Sequence, residues 1–150
     1  MLSLTLGIDT EATGRENIRL QSVLFGMSNA DIERRKQEIE DFTELGEYLD
    51  MPVRTYSSGM AMRIGFGVAT SVDADIILMD EWVSVGDANF VDKADQRLHE
   101  FVERAGLLVI ASHTPALLRK ICNKAMLLAH GQVLALGPLE EVLAAYEQRL

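Results

Sequence analysis

No Gly-Lys dipeptide occurs anywhere in the 150 residues, so the chain cannot form a phosphate-cradling Gly-x-x-x-x-Gly-Lys-Ser/Thr loop. Positive charge is also scarce. Fourteen Lys and Arg stand against twenty-three Asp and Glu, net −9, with no basic run longer than Arg34-Arg35-Lys36. That excludes nucleic acid as a main partner, because binding a phosphate backbone needs clustered cations; the acidity is read as serving solubility. Cys122 is the single cysteine, which rules out an intrachain disulfide and fits a reducing compartment. It follows Leu117, Leu118 and Ile121 on an apolar helical face and is expected to be a small core residue. Apolar runs such as residues 76–79 and 107–111 fall well short of the ~18–20 residues that cross a bilayer, and nothing resembles a signal peptide. Work at a membrane would need another chain to hold this one there.

What is present suffices for one ordinary domain with a real core, since 48% of the residues are apolar. Residues 2–8 alternate as an extended segment. Thr13 can cap a helix from Gly14 whose apolar side is Ile18, Leu20, Val23, Leu24 and Phe25, with Gly26 ending it. Ser28 and Asp31 cap a second helix running to about Leu45, with Ile32, Ile39, Phe42 and Leu45 buried. Residues 49–53 read as a connector, since Pro52 cannot continue a helix. A third helix from Ser58 carries Met60, Met62, Ile64, Phe66, Val68 and Ala69. Its Gly59, Gly65 and Gly67 each lower helix stability by up to ~1 kcal/mol, so close approach by a neighbour should compensate. From Asp75 onward strands and helices alternate: strand 76–79, helix 88–104, strand 107–111, and a helix opened by Pro115. Strands 125–129 and 132–136 turn at His130-Gly131, and a last amphipathic helix follows Pro138. A mostly helical half thus precedes an α/β half.

Three features carry chemistry. The apolar strand ending in Asp80-Glu81 would deliver two carboxylates to a sheet edge, where one acid can hold Mg²⁺ through water and the other orient an attacking water. The plainer alternative, a strand that emerges into solvent and ends acidic, has equal weight on the pair alone. His113 follows the next strand and, if the two strands are parallel neighbours, shares that edge. Alone it is more simply a surface histidine. Ser57-Ser58-Gly59 opens a helix, where free amides favour an anion, although simple capping by serine is common enough to be the better account of the motif in isolation. Ser84-Val85-Gly86-Asp87 reads as a turn with Asp87 as a cap, and His99 and His130 as solvated positions.

Order and spacing go further than any one motif. Thr13-Gly14-Arg15-Glu16-Asn17-Ile18, Thr55-Tyr56-Ser57-Ser58-Gly59-Met60, the Asp80-Glu81 strand end, Val85-Gly86-Asp87-Ala88, Ser112-His113 and Gly137-Pro138-Leu139-Glu140-Glu141-Val142 succeed one another. From Thr13 to the end the chain resembles the ATPase subunits of ATP-binding-cassette exporters, most closely the polysaccharide, O-antigen and teichoic acid branch, to which Tyr-Ser-Ser-Gly-Met points. The resemblance implies an α/β fold, a partial P-loop NTPase with a helical subdomain followed by a mostly parallel sheet flanked by helices. It divides the chain into residues 1–13 (core remnant), 14–72 (helical subdomain) and 73–150 (α/β core). It implies that Ser57, Ser58, Gly59 and Met60 form the signature motif contacting ATP on the opposite subunit of a head-to-tail dimer. Asp80 would support Mg, Glu81 would be the catalytic base, His113 the switch histidine, and Ser84 to Asp87 an interface loop. A transmembrane permease would hold the subunit at the inner face of the cell membrane.

Departures accompany this likeness. The Walker A loop is missing, no Gln lies between Leu2 and Glu11 where the glutamine loop would fall, and Thr114 replaces the Asp that usually follows the switch histidine. The chain ends at Leu150 without the extra carbohydrate-binding domain of some O-antigen subunits. Two readings follow: the C-terminal part of an exporter ATPase, binding Mg-ATP weakly or not at all by itself, or a non-catalytic module lending its signature helix to an intact partner. A degenerate structural remnant is the third. In any of them strands 76–79 and 107–111, apolar throughout, require cover on both faces. One bare face, with self-association or marginal stability of the isolated chain, is expected.

Overall fold

The computed structural model describes residues 7–80 and 88–148. The chain divides into two compact units, Met1–Met79 with Val83–Val109, and Asp80–Trp82 with Ile110–Leu150. Residues 2–6 of the expected extended segment lie outside the described residues.

The first unit is built on three helices. Helix α1 (Gly14–Leu24) starts at a reciprocal capping box: Thr13 Oγ1 accepts from the Glu16 amide, and the Glu16 carboxylate accepts from the Thr13 amide at 2.8 Å. Phe25 closes it, and Gly26 follows at φ 81°. Helix α2 (Asn29–Thr43) is capped by Ser28 with Asp31 and buries Ile32, Ile39 and Phe42, as its periodicity requires. It stops two residues before the expected Leu45 because Glu44 turns left-handed, at φ 56°. The connector at residues 49–53 is non-helical at Met51 and Pro52, as expected, but is flanked by two short 3-10 helices, Gly46–Asp50, which sends Leu49 into the core, and Val53–Thr55. Helix α3 (Ser58–Ala69) buries Ile64 through Ala69. Ile18, Ile39, Leu45, Leu49, Val53, Ile64 and Val68 form one cluster among these helices.

Gly67 of α3 has the expected reason. A Cβ on Gly67 would meet Phe42 Cδ1 at 3.2 Å and Ile39 Cγ2 at 3.4 Å, so α2 lies as close to α3 as a bare backbone allows. Helix α4 (Ala88–Arg104) buries Phe90, Ala94, Leu98 and Phe101 at helical spacing. The Phe42 ring stacks on Phe66 at 5.7 Å and meets Phe90 edge-on at 5.2 Å.

The apolar side read for α1 is corrected. Ile18 is buried, but Leu20, Val23 and Leu24 are exposed, and Asn17, Gln21 and Ser22 are buried in their place. Two of the buried polar groups bind backbone. Ser22 Oγ donates to Ile18 O at 2.7 Å, and Asn17 binds the segment before the helix. Met60 and Met62 of α3 are only half-buried.

Strands β1 (Ile76–Asp80) and β2 (Leu107–Ala111) pair in a parallel two-stranded sheet, joined through α4. Ile77 is buried on one face, while Ile76, Leu78, Leu107 and Val109 on the other are 49–59% exposed. In the second unit α5 (Pro115–Ile121) precedes an antiparallel hairpin, β3 (Lys124–Ala129) and β4 (Gln132–Pro138), covered on one side by α6 (Leu139–Glu147). His130 (φ 50°) and Gly131 (φ 76°) make its two-residue turn, and a bulge at Leu127/Leu128 shifts the register. Arg119 of α5 binds Glu140 and Glu147 of α6. Cys122 is only half-buried and α5 buries no residue fully, so the expected core cysteine is corrected to a boundary position; desolvation raises its thiol pKa. Among the described residues no helix is long and apolar enough to cross a membrane.

Two outcomes follow. Gly67→Leu overpacks the α2–α3 contact and should cost about 1–3 kcal/mol, read by urea denaturation. Leu78→Lys with Val109→Lys should convert self-associated chain to monomer in sedimentation velocity without lowering the unfolding midpoint, because both positions are already half in water.

Candidate functional site

The chemistry-bearing turn is set by the fold of the first unit. Ser57 is the N-cap of α3, and its Oγ accepts from the Met60 amide at 3.2 Å. The helical ladder begins at the Ala61 amide, which donates to Ser57 O at 3.1 Å. The amides of Ser58 and Gly59 therefore precede the ladder, at the positive end of a twelve-residue helix. Ser57 and Ser58 are exposed, Gly59 and Met60 half-buried. An anion can reach this turn from solvent.

The far end of α3 is fixed by cations. Arg97 reaches Thr70 Oγ1 at 3.2 Å and Ser71 Oγ at 2.8 Å, Arg104 donates to Thr70 O at 3.0 Å, and Arg35 donates to Ser71 O and pairs with Asp73. Three guanidinium groups thus meet the helix end whose dipole is negative.

The near end is held by two stretches of chain. The Val53 amide donates to Ala12 O and the Arg54 amide to Thr10 O, both at 2.9 Å; Thr13 and Pro52 form an antiparallel bridge, and the Gly14 amide donates to Met51 O at 3.3 Å. Asn17, fully buried, closes the first stretch on itself: its Oδ1 accepts from the Asp9 amide, and its Nδ2 donates to Asp9 O, Ala12 O and Thr13 O. Tyr56, directly before Ser57, donates its hydroxyl proton to Tyr48 O. That hydroxyl lies so close to Gly14 that a Cβ there would sit 2.4 Å away. Burial, then the Asp50 charge, raises the phenol pKa, keeping it a donor. Arg15 bridges the buried Glu40 and Asp50, which raises its own pKa. Sequence reading gave Tyr56 and Asn17 no role. A polar residue one turn inside a capped helix, on the side of Ile18, was the available signal for Asn17.

Asp80, in the second unit, is exposed and is the last residue of β1. His113, in the same unit, is also exposed and stands two residues beyond the end of β2, next to a turn in which the Thr114 amide donates to Ser112 Oγ at 3.1 Å. Parallel pairing puts the C-terminal ends of both strands on one edge. Glu81, Ser84 and Asp87 lie outside the described residues. Among the described residues no three His, Cys, Asp or Glu gather as a metal cage. Asp80 alone fits a contact to a hydrated Mg²⁺ that phosphates also hold, the usual manner of that ion.

No protein-family model matches the chain. Curated relatives do. The teichoic acids export ATP-binding protein TagH of Lactococcus lactis is 36% identical over 99% of this chain and 32% of its own length. The O-antigen export system ATP-binding protein RfbE of Yersinia enterocolitica is 44% identical over 89% of the chain and 56% of its own. RfbB of Klebsiella pneumoniae, another O-antigen export ATP-binding protein, is 36% identical over all of the chain and 61% of its own. The chain thus spans between a third and three fifths of these relatives. A solved ATP-binding subunit of an ABC transporter superposes with TM-score 0.77 at 24% identity, over 99% of this chain and 62% of that one. A dimeric ATP-binding cassette bound to ADP and Pi gives 0.67 at 20% identity, over 92% and 61%. The resemblance read in the sequence holds: the chain shares sequence with the polysaccharide and teichoic acid export branch and has an ATP-binding-cassette fold.

The capping box that starts α1 makes the site's support sensitive to acid. Its hydrogen bonds, first from the Thr13 amide and then from the Thr13 hydroxyl, lower the Glu16 pKa. A depressed carboxylate contributes stability above its unfolded pKa, about 4.3, and loses that contribution as pH falls through the folded value. Glu16→Gln should therefore flatten the decline of the melting temperature below about pH 4.5, measured by circular dichroism against the unsubstituted chain.

Proposed function

Taking this kinship with ATP-binding-cassette export subunits as premise, we propose that the chain supplies the signature motif, Walker B acids and switch histidine of the ATP-hydrolysing subunit of a polysaccharide or lipopolysaccharide exporter. The observation that carries the reading is the solvent-facing Ser57-Ser58-Gly59 turn, whose first-turn amides open a helix secured at both ends. Ser58 and Gly59 would donate these amides to the γ-phosphate of ATP held by the opposite subunit, with Ser57 keeping the Met60 amide in line. Asp80 would hold Mg through water, Glu81 would take a proton from the attacking water, and His113 would orient that water. Ser84 to Asp87 would cross the dimer interface. Mg-ATP, when bound, supplies the phosphoryl group and the positive charge that stabilises its transfer.

The partners in this reading are a second ATPase subunit and a transmembrane permease that keeps the chain at the inner face of the cell membrane. The outward Leu20, Val23 and Leu24 of α1 supply apolar surface on the helical part, residues 14–72, where the permease would meet it. The alternative is a non-catalytic module that uses the same presented turn to complete a partner's ATP site.

The experiment is mixing. The chain alone should show no ATPase above background, and adding it to an intact homologous subunit should raise turnover. Ser57→Arg should remove the gain in either reading. Glu81→Gln and His113→Ala should each lower the gain by about 10²-fold or more if the chain carries its own acids into the reaction, and should leave it intact if it lends only the turn. No gain from the unsubstituted chain would sink the alternative, and ATPase at the rate of an intact subunit from the chain alone would sink the first reading.

A further inference from the structure

We propose that Tyr56 is a positioning residue that ties the signature turn to the segment leading into α1, so that a displacement of residues 9–14 is felt at Ser57–Gly59. This rests on the reading of that turn as the nucleotide-facing one. The connection is short and continuous. Residues 9–13 are gathered around Asn17, and bonds from Val53 and Arg54 to Ala12 O and Thr10 O pair this loop with the stretch that becomes α3. The Tyr56 amide donates to Val53 O at 2.9 Å, and its phenol spans from Gly14 to Tyr48 O. Ser57 follows at once. A side chain bonded to the 3-10 helix, resting on the first residue of α1 and covalently next to the cap of α3 cannot shift at one point without shifting at the others.

Aromatic bulk alone does not account for the tyrosine. Its ring lies against the apolar cluster, which phenylalanine would satisfy; only the hydroxyl makes the bond to Tyr48 O. Gly14 has its counterpart reason, because any Cβ would strike the phenol and the Leu49 Cα, 3.1 Å away. The two residues fit only each other.

The test is a double-mutant cycle read by hydrogen exchange on the full chain without nucleotide. Thr13→Ala opens the capping box at the far end of the connection, and Tyr56→Phe removes one hydrogen bond with little change of shape. In the Tyr56 background, Thr13→Ala should speed exchange at the Met60 and Ala61 amides about 3–10-fold, the equivalent of one hydrogen bond. In the Tyr56→Phe background it should add nothing at those amides. Unchanged Met60 and Ala61 amides in Thr13→Ala overturn the proposal, as do rate increases that multiply independently. An unchanged Thr13→Ala profile overturns the proposal even if Tyr56→Phe fails to fold. In the mixing assay Tyr56→Phe should lower kcat several-fold with KM for ATP unchanged, and loss through KM alone would count against positioning. If the unsubstituted chain gives no stimulation, the alternative reading of the signature turn fails, and the exchange cycle still decides whether Tyr56 couples the two segments.

Discussion

Helix α3 is the member on which the first unit depends, and its carboxyl end is where it is fixed. Arg35, Arg97 and Arg104 come from two different helices to the hydroxyls and carbonyls of Thr70 and Ser71. Their positive charge meets the negative end of the dipole, and their donors serve carbonyls left over by the helix ladder. One of these cations also reaches the ring cluster: Arg97 lies over Phe42 at 5.1 Å, joined by Lys93 on the preceding turn at 5.3 Å, while Arg63 covers Phe90 at 4.2 Å. The aromatic core and the polar clamp are therefore one arrangement, and α2, α3 and α4 are held together through it.

From that arrangement follows the helix's capacity to present a functional end. First-turn amides are useful to an anion only while the turn stays formed; a fraying helix gives them to water. Ser57 holds the Met60 amide at one end of the helix and Arg97 bonds Ser71 at the other, contacts that oppose fraying from both sides. Preorganised dipoles do not have to reorient when charge arrives, which is why a poor helix former can serve here. The glycines that weaken α3 in isolation permit the approach of α2, as the contacts of Gly67 with Phe42 and Ile39 require.

Legibility in the sequence divided along a physical line. Features that depend on neighbours within four residues were readable: the Thr13 and Ser28 caps, Pro115 at the first position of α5, the His130-Gly131 turn, and the stripe of Ile32, Ile39 and Phe42. The serine turn and the strand ending in Asp80 were readable for the same reason. What was misread depends on partners far along the chain. Hydrophobicity assigns Leu20, Val23 and Leu24 to the inside of α1, yet Asn17 takes an inward position because four bonds await it in residues 9–13. Glu44 ends α2 in a conformation that only glycine or asparagine advertises. Tyr56 was visible as a letter of a motif, but its purpose lies in Gly14 and Tyr48.

The sheet poses the opposite problem, sequence that demands more than the structure provides. Ile76, Leu78, Leu107 and Val109 alternate with Ile77, Met79, Leu108 and Ile110, so both faces of β1 and β2 are apolar. A strand with one solvated face normally alternates apolar with polar residues; continuous apolar runs belong to strands enclosed on both sides. Here only one face is enclosed, and the other four residues stand 49–59% exposed. The hydrophobic term therefore favours whatever would cover that face, at about 25 cal/mol for each Å² removed from water. The cluster of Ile18, Ile39, Ile64 and Val68, by contrast, is closed among the helices with Leu45, Leu49 and Val53, and only Leu20, Val23 and Leu24 of α1 stand outward. The helices thus fold on local and mutual contacts, whereas the strands keep a demand for cover that the described residues do not meet.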